Sequence, residues 1–253
     1  MVDKQEIFSI LKKKKHDQRG TPTFFDNLIY YKGLKEENET ILSLWEQLLN
    51  SKSNRFSSYK NRIKNGFQRT ISEDVFALSQ GTHSLIKWKD LDVYKTAYDF
   101  VIYWMLISEL KPNTIIEYGS GSGGSALWLA DISLAIGLDT DIISYDINVP
   151  NVTHPKVQFV EIDFTQDFEI EVDRPGKKLV IEDTHVNVKE ILLKTDLYLK
   201  KGDYLVVEDS IDQLPEISKF LSNTKNTYKI DNFYLDFFGR NVTCCVDSIF
   251  KVF

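Results

Sequence analysis

Cysteine is scarce in this chain: two of its 253 residues are cysteines, and they are neighbours, Cys244 and Cys245. Adjacent cysteines rarely form a structural disulfide, so a disulfide framework is excluded and a reducing compartment is expected. Long apolar stretches are lacking too, because the longest run, residues 100–107, is far too short to span a membrane. The first residues are charged and lead into no signal-peptide core. We therefore expect a cytoplasmic protein with no membrane partner.

An excess of positive charge is also absent. The formal net charge is -6, which argues against a nucleic-acid partner because binding phosphates requires a basic surface. The one dense basic cluster is the run of four lysines at 12–15, which we interpret as a solvated segment. With 42% hydrophobic and 27% charged residues, the composition is that of a globular protein with a substantial core.

Two regions differ in their hydrophobic pattern. Residues 1–87 look mainly helical and are predicted to form an N-terminal extension that covers the substrate or mediates oligomerisation, ahead of a catalytic domain at 88–253. The clearest helix of the extension is "NETILSLWEQLLN", and a second, stronger helix follows in "DVYKTAYDFVIYWMLISELKP". For the second helix the pattern predicts Asp92 as the N-cap, Pro112 as the end, and an apolar face made of Val93, Tyr94, Ala97, Val101, Trp104 and Met105.

Strands and helices alternate after this helix. Short apolar segments at 115–118, 142–146, 157–162, 179–183 and 204–208 are predicted strands, with helices at 125–136 and 186–199 between some of them. This alternation indicates a parallel sheet covered on both faces. The aromatic tail from residue 226 reads as two closing strands without a helix. The predicted fold is therefore α/β: a Rossmann-like, doubly wound, mostly parallel sheet ending in an antiparallel strand pair, with a helical N-terminal extension.

The glycine-rich turn after the first of these strands fits two cofactors. Gly119, Gly121 and Gly124 match the dinucleotide pattern G-x-G-x-x-G, whereas Gly119, Gly121 and Gly123 match the G-x-G-x-G turn of S-adenosylmethionine (SAM) enzymes. The second strand ends in Asp146, where an acidic side chain can accept both ribose hydroxyls of either cofactor. The third ends near Asp163, which either accepts the adenine amino group or is an exposed loop carboxylate.

Carboxylates follow the fourth and fifth strands. One ends in Glu182-Asp183-Thr184-His185 and the other in Glu208-Asp209-Ser210, and in a parallel sheet these ends can be neighbours. Crowded carboxylates repel one another, and a divalent cation such as Mg²⁺ relieves that repulsion. Asp183, Glu208 and Asp209 are therefore a candidate metal site. The alternative is that they are solvated loop carboxylates or helix N-caps.

A metal at this place favours oxygen as the atom that accepts a methyl group. Ionising an alcohol with a pKa near ~15.7 at pH 7 costs roughly 12 kcal/mol, whereas deprotonating an ammonium with a pKa of ~10 costs only about 4 kcal/mol. A metal on the hydroxyl oxygen lowers the larger cost, and His185 can take the proton. A loop histidine that merely contacts a carboxylate is the competing interpretation of His185.

Taken with these motifs, the segments "LIKWKDLDVYKTAYDFVIYWMLISELKPNTIIEYGSGSGGSALWLADI" and "LVIEDTHVNVKEILLKTDLYLKKGDYLVVEDS" resemble the cephalosporin hydroxylase / rhamnosyl O-methyltransferase family, which is similar to class I SAM-dependent methyltransferases. The resemblance covers about two thirds of the chain. It implies a small-molecule acceptor, a homo-oligomer and Mg²⁺ at Asp183, Glu208 and Asp209. It also implies that SAM is bound by Glu117, Gly119, Gly121, Ser125, Asp146 and Asp163.

Four functions are compatible with these observations. The first is a Mg²⁺-dependent SAM O-methyltransferase that acts on a hydroxyl of a secondary metabolite or sugar. The second keeps the fold but transfers the methyl group to an amine, with the carboxylates holding a cationic substrate instead of a metal. The third is an NAD-dependent oxidoreductase, although no catalytic domain with a Tyr–Lys or His–Asp arrangement is visible after Asp146. The fourth is a non-catalytic SAM-binding subunit.

Overall fold

The computed structural model describes residues 54–81, 84–170, 172 and 174–253. The helix predicted in "NETILSLWEQLLN" lies outside the described residues. The strands are β1 Phe56–Ser57, β2 Lys87–Trp88, β3 Leu91–Asp92, β4 Thr114–Tyr118, β5 Asp141–Asp146, β6 Val157–Glu161, β7 Lys178–Glu182, β8 Tyr204–Val207, β9 Tyr228–Asp231 and β10 Ile249–Val252. The helices are α1 Tyr59–Arg62, α2 Glu73–Ser79, α3 Ala97–Leu110, α4 Gly124–Ala135, α5 Val188–Asp196, α6 Leu214–Asn223 and α7 Asn232–Leu235.

Eight of these strands form one sheet, in the order β1-β9-β10-β8-β7-β4-β5-β6, while β2 and β3 pair separately. The strands from β8 to β6 are parallel, and β10, β9 and β1 join them antiparallel. The predicted α/β fold, with its mostly parallel sheet and antiparallel closing pair, is confirmed. Chain order reverses at β4, which has β5 on one side and β7 on the other, and in doubly wound sheets such a switch point is where ligands bind.

The centre of the sheet carries the core. Every residue of β4, β7 and β8 is buried, as expected for parallel strands covered by helices on both faces. By contrast, β6 is half-buried or exposed along its length, because it is the edge strand of the parallel part. The buried central strands end at the switch point. The residues that directly follow β4, β7 and β8 are therefore held close together at this edge of the sheet.

Helix α3 differs from its prediction at both its start and its face. It begins at Ala97 with Thr96 as N-cap, because Thr96 and Asp99 form a reciprocal capping box. The prediction of Asp92 as the cap is wrong, since Asp92 belongs to β3. The predicted apolar face is also wrong: Trp104 is 49% exposed. The side chains buried on this helix are Asp99, Ile102, Tyr103, Leu106, Ile107 and Leu110.

Part of the predicted extension belongs to the main sheet. Strand β1 pairs with β9, so Phe56 lies opposite Asp231. The buried Arg62 donates hydrogen bonds to Asp247 and Asp236 in the C-terminal tail. The division of the chain at residue 88 stays a prediction.

The tail was predicted to contain two strands and no helix. The strands β9 and β10 are present, but the short helix α7 lies between them, so the absence of a helix is wrong. Asp231 starts this helix by accepting a hydrogen bond from the Phe233 backbone N–H, a local cap that strand periodicity does not reveal. None of the helices in the described residues is long and apolar enough to cross a membrane.

Candidate functional site

A cavity of about 450 Å³ lies at the carboxyl ends of the parallel strands. This volume falls within the range of roughly 300–1,000 Å³ that is usual for small-molecule sites. The glycine turn after β4 forms one part of its wall, and the loops after β5, β6, β7 and β8 form another. The segment 92–95, just before α3, completes the wall. Of the residues predicted to form a site, those on the wall are Gly119, Gly121, Ser125, Asp146, Asp163, Asp183, His185 and Asp209. Glu117 and Glu208 are 1% and 2% exposed and lie behind it.

Glycine is required at position 119 for two reasons. Its φ is +97°, a conformation that other residues rarely adopt, and a Cβ placed there would lie 2.5 Å from the carbonyl oxygen of Asp183. The turn therefore passes directly against the end of β7. At Gly119 and Gly121 no side chain projects, so the backbone of the turn can approach a ligand closely at these two positions.

Asp146 is oriented by the same turn. Its Oδ2 accepts a hydrogen bond of 2.9 Å from the Gly121 backbone N–H, and its Oδ1 accepts one of 3.0 Å from the Asn148 N–H. The carboxylate is thus fixed at the cavity wall, where an acceptor for ribose hydroxyls is expected. Asp163 lies further along the wall, and its Oδ1 accepts hydrogen bonds from the backbone N–H and the hydroxyl of Thr165.

Glu117 supports the turn from below. Its Oε1 accepts a hydrogen bond of 2.6 Å from the Ser125 hydroxyl, and its Oε2 accepts one of 2.6 Å from the Ser144 hydroxyl. Burial raises the pKa of Glu117, while the nearby Lys95 charge and the two serine hydroxyls partly offset that rise. Both oxygens are therefore used within the protein, which joins β4, α4 and β5 beneath the cavity.

Three ligand-type side chains meet at the ends of β7 and β8. Asp183, His185 and Asp209 each offer an atom within 4.8 Å of the others. The Nε2 atom of His185 lies 3.3 Å from Asp183 Oδ1 and 3.8 Å from Asp209 Oδ2. His185 and Asp209 have φ values of +60° and +42°, so both adopt the left-handed conformation, which costs roughly 1–2 kcal/mol per residue. Backbone strain of this kind is concentrated at functional sites.

The charges in this cluster influence one another. Burial raises the pKa of Asp183, and repulsion from Glu208 raises it further. The hydrogen bond with Asp183 raises the pKa of His185. Oxygen-rich groups of this kind suit a hard divalent cation such as Mg²⁺ or Mn²⁺, and the donor set present here therefore fits the predicted metal.

Glu208, the third predicted metal ligand, forms an ion pair that the sequence did not predict. Its Oε1 lies 2.6 Å from Nζ of Lys95 and accepts a further hydrogen bond from the Tyr103 hydroxyl. The structure therefore brings Asp183 and Asp209 together with His185, while Glu208 is ion-paired behind them. The available sequence signal was Lys95 itself, a charged residue directly before the Thr96 cap of α3.

Tyr118, the last residue of β4, does not face the cavity. An aromatic ring at this place could otherwise contact the SAM sulfonium in a cation–π interaction. Tyr118 is fully buried instead: its ring packs against Tyr145 and Phe164, and its hydroxyl accepts a hydrogen bond from Thr195 in α5. Because side chains alternate across a strand, the last residue of β4 points into the core rather than into the cavity.

Comparison with known proteins agrees with this arrangement. Residues 80–228 match the family model described as rhamnosyl O-methyltransferase/CmcI. The rhamnosyl O-methyltransferase of Mycobacterium leprae (strain TN) is 34% identical over 136 residues, which are 49% of this chain and 59% of that protein. The enzyme of the same name from Mycobacterium tuberculosis (strain H37Rv) is 32% identical over 134 residues, 47% of this chain and 55% of that protein. This chain thus matches little more than half the length of these relatives.

Solved structures share the fold. A CmcI structure with Mg and SAM superposes with a TM-score of 0.54 at 22% identity, covering 67% of this chain and 77% of that one. An apo structure of CmcI gives a TM-score of 0.56 at 21% identity, with coverages of 76% and 83%. Because the family model spans more than half of the sequence, the chain belongs to the rhamnosyl O-methyltransferase/CmcI family.

Proposed function

We propose that this protein is a SAM-dependent methyltransferase that transfers a methyl group to a hydroxyl of a small molecule, with a divalent cation, Mg²⁺, at the acceptor. One observation carries the proposal. A single cavity joins the glycine turn and Asp146 on one side to Asp183, His185 and Asp209 on the other. A nucleoside cofactor at the glycine turn and an acceptor hydroxyl at the carboxylates would therefore lie next to each other in this cavity. Membership of the family supports the same conclusion.

The residues present fit SAM. Gly119 and Gly121 allow close approach of the backbone, and Asp146 offers a carboxylate, held by the Gly121 N–H, for the ribose. We assign Asp163, which lies on the same cavity wall, to the adenine amino group. Ser125 lies on the wall at the start of α4, where the amino-acid end of SAM would lie. We assign Glu117 a supporting role, since its oxygens already bind Ser125 and Ser144.

A bound SAM would supply an electrophilic methyl group, and a cation held by Asp183, Glu208 and Asp209 would acidify the acceptor hydroxyl. The side chains of the protein would position the acceptor hydroxyl and take up its proton. Positioning the hydroxyl in line with the methyl group contributes much of the acceleration. His185 is the proton acceptor in this proposal, and its contact with Asp183 sets its protonation state.

The raised pKa of His185 has a consequence for this role. While Asp183 remains hydrogen-bonded to the imidazole, the protonated form is favoured and cannot accept a proton. A cation that engages the charge of Asp183 would make His185 a better proton acceptor. In this proposal the proton acceptor and the cation site are therefore coupled.

The names of the relatives support a proposal about the class of molecule that accepts the methyl group. Proteins named rhamnosyl O-methyltransferases match this chain, and we propose a sugar or another small hydroxylated metabolite as the acceptor. The negative net charge fits a protein that does not bind nucleic acid. We further propose a cytoplasmic homo-oligomer in which residues 1–87 cover the substrate or contribute to assembly.

Calorimetry with the full chain tests the cofactor. Binding of SAM and of its demethylated product is expected, and failure of both to bind at millimolar concentration would reject the proposal. Turnover is then tested with hydroxylated sugars and phenols, by following release of the demethylated cofactor. Chelation with EDTA and the Asp183→Ala variant should each abolish it. If turnover survives both, transfer does not use the metal; turnover with amines alone would move the acceptor atom to nitrogen.

A further inference from the structure

A lysine ammonium lies enclosed among the carboxylates of the proposed site. The side chains of Lys95 and Glu208 are 2% and 3% exposed, and their charged atoms are 2.6 Å apart. Tyr103, from α3, donates to the same oxygen of Glu208. Because Lys95 precedes α3 while Glu208 follows β8, this ion pair fixes the end of β8 against a distant element of the fold.

Lys95 acts on more than one carboxylate. Burial by itself would lower the pKa of Lys95, but attraction from Glu208, and then from Asp183 and Glu117, raises it well above the ordinary value. The ammonium therefore compensates Glu208 directly, at 2.6 Å, and also attracts the more distant carboxylates of Asp183 and Glu117. Without it, Glu208 would be a buried carboxylate with no counter-ion, an arrangement that proteins rarely tolerate.

Resting on the proposed function, we propose that Lys95 is a positioning residue that serves as the internal counter-ion of Glu208 and thereby weakens binding of the divalent cation at Asp183, Glu208 and Asp209. Lysine and cation would both contact Glu208, and like charges that share one carboxylate in a poorly solvated place repel each other strongly. The ion pair thus keeps the carboxylate in position before the cation arrives and keeps the cation exchangeable afterwards.

If the role of Lys95 were purely structural, its loss would have the opposite effect on cation binding. If Lys95 only anchored Glu208, its loss would free the carboxylate and weaken cation binding. If Lys95 is the counter-ion, its replacement by a neutral side chain of similar length removes a repelling charge and tightens cation binding. Tyr103→Phe is the matched control, because it removes a hydrogen bond to the same oxygen of Glu208 without changing the charge.

The experiment measures binding of Mn²⁺ to the full chain by titration calorimetry, in the wild type, Lys95→Met and Tyr103→Phe. The expected result is at least tenfold tighter binding by Lys95→Met, about 1.4 kcal/mol. Tyr103→Phe leaves the charge beside Glu208 unchanged, so its affinity for Mn²⁺ should stay within about threefold of the wild type. Saturating Mn²⁺ should also raise the melting temperature of Lys95→Met by more than that of the wild type.

Each other outcome is decisive. Equal or weaker binding of Mn²⁺ by Lys95→Met overturns the counter-ion role while leaving the proposed function intact. A wild type that binds no Mn²⁺ at millimolar concentration overturns the proposed cation site, and the role of Lys95 with it. Should Lys95→Met fail to fold, Lys95→Gln, which is neutral but retains an N–H donor for Glu208, carries the same expectation and the same refutation.

Discussion

The contact between the glycine turn and β7 can be tested with a pair of substitutions. Gly119 and Gly202 have nearly the same positive φ, +97° and +98°. They differ in their surroundings. A Cβ at Gly119 would lie 2.5 Å from the carbonyl oxygen of Asp183, whereas a Cβ at Gly202 would meet no heavy atom of the described residues within 4 Å. Alanine at each position therefore separates backbone strain from steric overlap.

The expected magnitudes follow from these two terms. Gly202→Ala should lose only the conformational term, roughly 1–2 kcal/mol of the free energy of unfolding. Gly119→Ala should lose that amount and a further ~1–3 kcal/mol for overpacking. The clash cannot be relieved cheaply, because the Asp183 backbone N–H donates a 2.8 Å hydrogen bond to Tyr118 and so holds the end of β7. Unfolding in urea, monitored by circular dichroism, measures both values.

Binding adds a second measurement. Displacement of Asp183 by the new methyl group should weaken both Mn²⁺ binding and cofactor binding in Gly119→Ala, since the turn and the strand end share the cavity wall. Gly202→Ala should bind both ligands as the wild type does. If the two variants unfold with free energies within ~0.5 kcal/mol of each other, the close approach of the turn to β7 is refuted, because distant surface effects are usually of that size.

Three further predictions concern other parts of the molecule. Asp146→Ala should weaken binding of the demethylated cofactor by roughly 10–100-fold in calorimetry, the value of a hydrogen bond to a charged group; unchanged affinity would remove Asp146 from the site. Arg62→Met should lower the free energy of unfolding by about 3–5 kcal/mol, because it leaves the carboxylates of Asp236 and Asp247 without their counter-ion. A loss below ~1 kcal/mol would contradict a buried ion pair between Arg62 and these carboxylates. Burial alone would raise the pKa of Asp196, but hydrogen bonds from Lys225 and its neighbours lower it, so this group stabilises the fold above its unfolded pKa and loses that contribution as acid protonates it. The gap in stability between wild type and Asp196→Ala should therefore be widest near neutral pH and shrink in acid; a gap that is constant with pH would contradict the shift.

The sequence predicted the parallel strands well because their signal is local. Each of the five predicted segments overlaps an observed strand, from β4 to β8, with ends that differ by a residue. Short uninterrupted apolar runs such as 179–181 and 205–207 are typical of strands in a sheet that is covered on both faces. The face of α3 could not be predicted in the same way. Its apolar residues lie all around the helix, so the choice between burying Trp104 and Tyr103 depends on which elements pack against it.

The structure brings most of the predicted site residues to the wall of one cavity, whereas the contacts among them could not be predicted from the sequence. Strand ends place Asp183 and Asp209 at one edge for a reason that the sequence contains: the parallel pairing of β7 with β8. The state of Glu208 depends instead on Lys95, which is 113 residues away in the sequence and reaches it through the tertiary fold. Charge compensation of this kind leaves only a weak trace in a single sequence, a lysine directly before a helix cap. A buried cation before an N-cap is therefore a reason to look for a carboxylate at a neighbouring strand end, and in this protein that search leads to the proposed metal ligand itself.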